Sequence, residues 1–261
     1  LRRTFGGFAA AALLLTFAIA SMLTSRMYRS ELEIWRRSAA VGAEPTALMN
    51  LALALRGTDD AAARETFEAA LKKAPEHVLG HINFGLFLID HGETVRGIEE
   101  LQAAIRSAPN WGQPWYWWSL SARKLGFGPN ALEGALKAAR LDPGTDRYRY
   151  LAARELIMVK RYAEALPHLT ALAQIAGPYS DAGYLAGYAH QMLGDLDAAE
   201  IGYSQQLARD PSNVLSLYNL GHVWLTRRRC DKARPLFEQA LAVDPKSAGA
   251  KAGLARCPID P

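Results

Sequence analysis

His77 and His81 stand four residues apart, the spacing that sets two imidazoles on one helix face and suits a shared metal ion. No third ligand accompanies them, so surface histidines near a helix start are expected, and no metal. The adjacent carboxylates Glu99 and Glu100 fall on an outer helix and read as a solvated face. The sequence holds no Gly-x-Ser-x-Gly elbow, no phosphate-cradling glycine loop and no His-Glu-x-x-His pair. Two cysteines, Cys230 and Cys257, are too few for a four-ligand metal site and lack Cys-x-x-Cys spacing. No catalytic residue, cofactor or enzymatic activity is therefore expected.

Binding chemistry is better represented. Tyr116, Tyr150, Tyr184 and Tyr218 recur at intervals of 34 residues, and Tyr188 lies one helical turn beyond Tyr184. Tyrosine joins a broad apolar ring to a hydroxyl at modest entropic cost, which suits contact with a peptide. The segment WGQPWYWW, Trp111 to Trp118, is a second aromatic concentration. Trp115 and Trp118 fit core positions. Trp111 and Trp117 are left over, either as an exposed patch for a partner or membrane surface, or as packing between neighbouring units.

A repeat must position these side chains. Pro75, Pro109 and Pro143 are 34 residues apart, Pro211 and Pro245 keep the period, and Pro178 falls one position late. Five residues before most of these prolines stands a small residue: Ala70, Ala104, Ala138 or Ala240. Three earlier comes a large one, as in Phe67, Leu101, Tyr203 and Phe237, and four earlier again Ala63, Gly97, Ala131, Ala199 or Ala233. Small residues let two helices approach, the large one fills the gap, and proline ends the second helix. Abundant alanine and leucine with few β-branched residues agree with an all-α chain. With 261 residues, half of them hydrophobic, the chain can bury a substantial core.

The first thirty residues are different. From Thr4 to Ser25 no side chain is charged, Arg2 and Arg3 precede the stretch, and Arg26 and Arg29 follow it. About twenty apolar residues span a hydrocarbon core of about 30 Å, so a membrane segment over 4–25 is expected. Ala18-Ile19-Ala20 also makes a passable secretory cleavage site, leaving anchor and signal sequence as alternatives. Counting basic residues near the ends favours a cytoplasmic C-terminal side, whereas the signal-like layout and the cysteines favour the outside, which is the side preferred. The net charge of +4 is mild, and the run Arg227 to Arg229 falls in a turn, so no nucleic-acid partner is expected.

The last unit, LYNLGHVWLTRRRCDKARPLFEQALAVDPKS, resembles the tetratricopeptide-repeat family. Leu220-Gly221 matches its Leu-Gly pair, and Ala233, Phe237, Ala240 and Pro245 follow at the family spacing. The resemblance implies an all-α, right-handed superhelix of about six helix pairs with a C-terminal capping helix, behind one transmembrane helix. The units would cover about 45–77, 78–111, 112–145, 146–179, 180–213 and 214–247. In domain terms these are a membrane or signal-anchor segment (1–26), a helical junction (27–44), the array (45–247), and a capping helix with its tail (248–261).

In such a superhelix the first helix of each pair lines the concave surface, and the fifth position of each unit points into it. Those positions hold Ile82, Tyr116, Tyr150, Tyr184 and Tyr218, and the same register adds Arg123, Arg147, Arg154, Tyr188 and His222. A peptide groove and plain repeat consensus both account for the tyrosines. A carboxylate clamp expects asparagine at the next position, where Asn83 and Asn219 match but Trp117, Leu151 and Leu185 do not. Antiparallel helices would also return the end of the capping helix to the start of the helix before it. Cys230 and Cys257 would then meet in a disulfide, which needs Cα atoms within about 7 Å; the alternative is two separate thiols in a reducing compartment.

The junction SRMYRSELEIWRRSAAVGAEPTALMNLALAL looks like the link between membrane helix and repeats in glycosyltransferases of the O-mannosyltransferase type, with Tyr28 and Trp35 carrying the likeness. Their many-spanning catalytic part is absent from this sequence, so no catalytic residue carries over. The expected function is a noncatalytic scaffold in a bacterial inner membrane, single-pass, with a periplasmic array. It would bind a protein or peptide partner, such as a membrane-complex subunit, and touch lipid through 4–25. The alternative is the C-terminal regulatory part of a membrane glycosyltransferase.

Overall fold

The computed structural model describes residues 16, 17, 19–23, 31–173, 179 and 181–257, and among them every regular element is a helix. Residues 16, 17 and 19–23 are helical, while most of the expected membrane segment, 4–25, lies outside the described residues. Among the described residues no helix is long and apolar enough to cross a membrane.

Two compact units divide between Pro109 and Asn110. The first contains α1 (31–42), α2 (Pro45–Leu55), α3 (Asp60–Lys73), α4 (Val78–Asp90) and α5 (Thr94–Ser107). The second contains α6 (Gly112–Lys124), α7 (Gly128–Leu141), α8 (Asp146–Met158), α9 (Tyr162–Leu172), α10 (Ala182–Met192), α11 (Leu196–Arg209), α12 (Val214–Thr226), α13 (Cys230–Val243) and α14 (Ala248–Ala255).

Helix ends have local causes. Ala74, Ala108, Asp142, Asp210 and Asp244 each close a second helix with φ between −143° and −126° and ψ between 69° and 93°. All five precede proline, whose ring excludes the helical conformation from the residue before it. Asp59, Asp195, Asn213 and Ser247 restart the chain by accepting backbone N–H groups with their side chains. Inside the hairpins the chain reverses through a left-handed residue: Gly57, Gly92, Gly126 and Gly194, but also Lys160 and Arg228. A side chain in that conformation is strained, and glycine is not.

In the first unit Phe67 of α3 is fully buried against Phe84 and Phe87 of α4, with ring centroids 5.4 and 5.6 Å away. Burying such a ring stabilises by about 1.5–3 kcal/mol. Helices α4 and α5 touch through glycine: a Cβ on Gly85 would stand 2.8 Å from the Gly97 carbonyl. In the second unit Tyr203 and Phe237 fill the matching interiors, and the Tyr203 hydroxyl donates to Gln191 Oε1 at 2.6 Å. A Cβ on Gly253 of α14 would stand 2.5 Å from the Phe237 ring, so the last helix seats closely on α13. A disulfide joins Cys230 to Cys257, with Cα atoms 5.3 Å apart.

Two sequence expectations need correction. His77 and His81 are not a surface pair. His77 caps α4, its Nδ1 accepting the Gly80 N–H at 2.9 Å. His81 is 9% exposed, with Nδ1 2.6 Å from Glu100 and Nε2 2.7 Å from the Pro75 carbonyl. Glu100 is therefore engaged with α4 rather than merely solvated. Among the described residues no group of three or more metal-ligating side chains gathers.

Candidate functional site

Helices α6, α8, α10 and α12 are the first members of their hairpins in the second unit, and contacts link α6 to α8, α8 to α10 and α10 to α12. The recurring tyrosines step from one of these helices to the next. Tyr116 of α6 packs its ring on Tyr148 of α8 at 5.2 Å, beneath the Arg147 guanidinium. Tyr150 of α8 reaches the start of α10, where its hydroxyl donates to the Asp181 carboxylate at 2.8 and 2.9 Å. Tyr184 of α10 packs its ring on Tyr203 of α11 at 6.1 Å, and Asn219 of α12 stands near enough to its hydroxyl to oppose the burial-raised phenol. Tyr218 of α12 lies on α14, where a Cβ on Gly249 would stand 2.7 Å from its ring. The tyrosine ladder is thus first a set of staples between successive repeats.

Titration reflects that packing. Burial, reinforced by the Asp181 carboxylate, pushes the Tyr150 phenol up to about 12. Burial also raises Tyr116 and Tyr184; Arg147 opposes the shift at Tyr116, and Asn219 opposes it at Tyr184. All three hydroxyls stay protonated near neutral pH and act as neutral hydrogen-bonding groups.

The cations divide into two kinds. Arg123 forms a two-pronged pair with Glu155, one arm at 3.0 Å, and Glu155 is only 2% exposed. Leaving that carboxylate unpaired would be costly, so Arg123 is committed to the fold and is not a spare groove cation. Arg147 and Arg154 are exposed instead. Arg147 lies over Tyr116 and Tyr148 at 5.4 and 5.0 Å, and Arg154 over Tyr150 at 5.7 Å. Neither forms an ion pair among the described residues.

Other expected site residues are scattered. Ile82 belongs to the first unit and is 1% exposed, so its side chain offers no surface; it faces the interior of the α4 packing. Tyr188 stacks on Tyr184 at 6.3 Å and meets Tyr162 edge-on at 5.9 Å. His222 stands 6.3 Å from Tyr218, ring to ring, with its Nδ1 buried and unbonded. Trp111 is 36% exposed at the boundary of α6, whereas Trp117 is half-buried with its ring against Tyr116, so only Trp111 of the two is open.

Sequence reasoning missed Asp181 and Glu155. A signal was present: they follow Tyr150 and Arg123 by 31 and 32 residues, slightly less than one repeat. That interval is where successive first helices face each other.

A family model described as tetratricopeptide repeat matches residues 53–110 and 218–257. Cellulose synthase 1 operon protein C from Komagataeibacter xylinus is 34% identical over 115 residues, a match covering 40% of this chain and 9% of that protein. Among solved structures, YrrB, described as a TPR protein with an unusual peptide-binding site, superposes with a TM-score of 0.67 at 20% identity, covering 74% of this chain and 99% of that one. The C-terminal part of a TPR repeat-containing protein from Cytophaga hutchinsonii gives a TM-score of 0.70 at 16% identity, covering 88% and 96%. The repeating helix hairpins, the matched segments and these likenesses agree: the chain carries tetratricopeptide repeats.

Proposed function

We propose that the chain is a noncatalytic scaffold whose second unit captures an extended, acidic segment of a protein partner on the face formed by α8 and its neighbours. The observation carrying this reading is the pair Arg147 and Arg154, exposed over tyrosine rings and without carboxylate partners among the described residues. Cations held over aromatic faces are already oriented, so a peptide carboxylate meets them at reduced entropic cost. The solved relative described as having a peptide-binding site supports this use of the fold. Replacing Arg147→Glu together with Arg154→Glu should abolish partner recovery from membranes while circular dichroism keeps its helical signal. Recovery of the same partners by the double variant would remove this face from consideration.

The uncharged stretch 4–25 supports a tether in a bacterial inner membrane, and the Cys230–Cys257 bond favours an oxidising compartment such as the periplasm. Proteolysis of intact against permeabilised cells tests the sidedness. A second reading, that the array is one part of a longer membrane glycosyltransferase, draws on the relative named for a cellulose synthase operon. A long hydrophobic reading frame running into Leu1 would support it, and a stop codon just upstream would end it.

A further inference from the structure

The turns between α6 and α7, α8 and α9, α10 and α11, and α12 and α13 all lie at the C-terminal ends of first helices. Hairpins stacked in one direction bring such turns to one edge of the unit. Large apolar side chains stand exposed there at matching repeat positions. Met158 and Met192 are 34 residues apart, as are Val159 and Leu193, and Phe127, at a different repeat position, closes the neighbouring turn before α7. All five are between 42% and 57% exposed. An apolar row of this kind on a water-facing turn needs a partner.

The charges on the same edge identify its chemistry. Arg161 pairs with Glu164, Arg227 with Asp197 and Glu200, Arg229 with Asp231, and Asp195 approaches His190. Lys160 and Arg228 are exposed and form no ion pair among the described residues. The opposite edge mixes Asp142, Asp210 and Asp244 with the exposed cations Arg140 and Lys246. Two exposed cations without ion pairs therefore stand on the edge that also carries the apolar row.

A second observation is independent of exposure. Lys160 and Arg228 have φ of 62° and 59°, while the equivalent positions 126 and 194 are glycine. A long side chain in the left-handed region is less stable than glycine there. Strain kept at two equivalent positions, each time for a cation, points to a use outside the fold.

We propose that this edge rests on an anionic lipid surface, with the apolar row seated among the headgroups and Lys160 and Arg228 on lipid phosphates. Shallow apolar insertion combined with basic residues is the pattern that binds such an interface. This contact is separate from the peptide-capturing face and does not depend on it.

The test uses the full chain reconstituted into vesicles of phosphatidylcholine alone, or of phosphatidylcholine with phosphatidylglycerol. A Leu193→Cys variant carries an environment-sensitive fluorophore, and brominated lipids serve as quenchers. Anionic vesicles should shift the emission to the blue and permit quenching, and neutral vesicles should do neither. Lys160→Gly with Arg228→Gly should lower the lipid-contacting fraction roughly tenfold or more. Glycine suits both backbones, so the double variant should keep or raise its thermal stability, which separates lost contact from lost folding. Equal emission in the two vesicle types would overturn the proposal. So would a blue shift in neutral vesicles that grows with protein density, because that outcome assigns the edge to a second copy of the chain.

Discussion

The phenol of Tyr150 donates to both carboxylate oxygens of Asp181, at 2.8 and 2.9 Å, and so joins the middle of α8 to the start of α10. Its ring meanwhile packs on Tyr179 at 4.9 Å and lies under the Arg154 guanidinium at 5.7 Å. One side chain thus closes the stack of repeats and forms the floor of the proposed binding face. Structural and binding roles are separable at this position, because the hydroxyl serves the stack and the ring serves the surface.

Tyr150→Phe should therefore cost about 1 kcal/mol of stability, the ordinary worth of a partly exposed hydrogen bond to a charged acceptor, and leave partner capture largely intact. Denaturant titration measures the first and a pull-down the second. The raised phenol adds a sign. Its contribution is complete below the unfolded value near 10 and is lost as pH climbs through about 12. The phenylalanine variant should lose that alkaline sensitivity. A variant as stable as the parent would show that the bond contributes nothing net.

His81 should make the first unit sensitive to pH. Both ring nitrogens face acceptors, Glu100 at 2.6 Å and the Pro75 carbonyl at 2.7 Å, so only the doubly protonated ring donates to both. Burial pulls its pKa down, but these two hydrogen bonds, aided by Glu100 and Glu76 as nearby negative charges, outweigh burial and raise it. A raised histidine contributes fully below the unfolded value of about 6.5, and that stability is lost as pH rises through the folded value. Melting temperatures across the neutral range should fall with rising pH in the parent and fall less in His81→Gln. Parallel pH profiles would refute the assignment.

The repeat was legible because its signals are local. Pro75, Pro109, Pro143, Pro211 and Pro245 each follow a residue that ends a helix, and backbone sterics alone enforce that. The tyrosine register was legible for the same reason. The hydroxyl partner of Tyr150 was not, because Asp181 belongs to the next repeat and its reach depends on how the two repeats stack. Arg123 read as a groove cation because nothing local reveals that Glu155, on an otherwise amphipathic helix, is buried beneath it. His81 misled in the opposite way: helix spacing suggested a surface pair, and only the packing of α5 on α4 brings Glu100 over it.

Close packing between α4 and α5 gives a further test. A methyl group on Gly85 would stand 2.8 Å from the Gly97 carbonyl and 3.1 Å from Leu101 Cγ. The backbone oxygen cannot yield as a flexible side chain would, so the two helices must separate. Gly85→Ala should therefore destabilise by about 1–3 kcal/mol despite alanine's better helix propensity. Gly92→Ala fails differently, through a φ of 83°, with open space around the added methyl. Equal stability of Gly85→Ala and the parent would mean that the hairpin is looser than its geometry.

The Cys230–Cys257 bond closes 27 residues of chain, which the chain-entropy account values at about 3 kcal/mol. Its effect should be local, because α14 has other holds. Gly253 seats on Phe237, and Arg234 Nη1 donates to the Cys257 carbonyl at 2.9 Å. Reduction should therefore leave α14 in place but opening more often, since the constraint on its far end is gone. Hydrogen exchange under a dithiol reductant should lose protection first across Ala248–Ala255, with α10 and α11 unchanged. Cys230→Ser with Cys257→Ser should give the same pattern without reductant. Alkylation of the native protein followed by mass spectrometry decides whether the bond forms in the cell. Two free thiols would remove it, and with it the oxidising-compartment argument; the packing of α14 on Phe237 would then have to hold the end of the array alone.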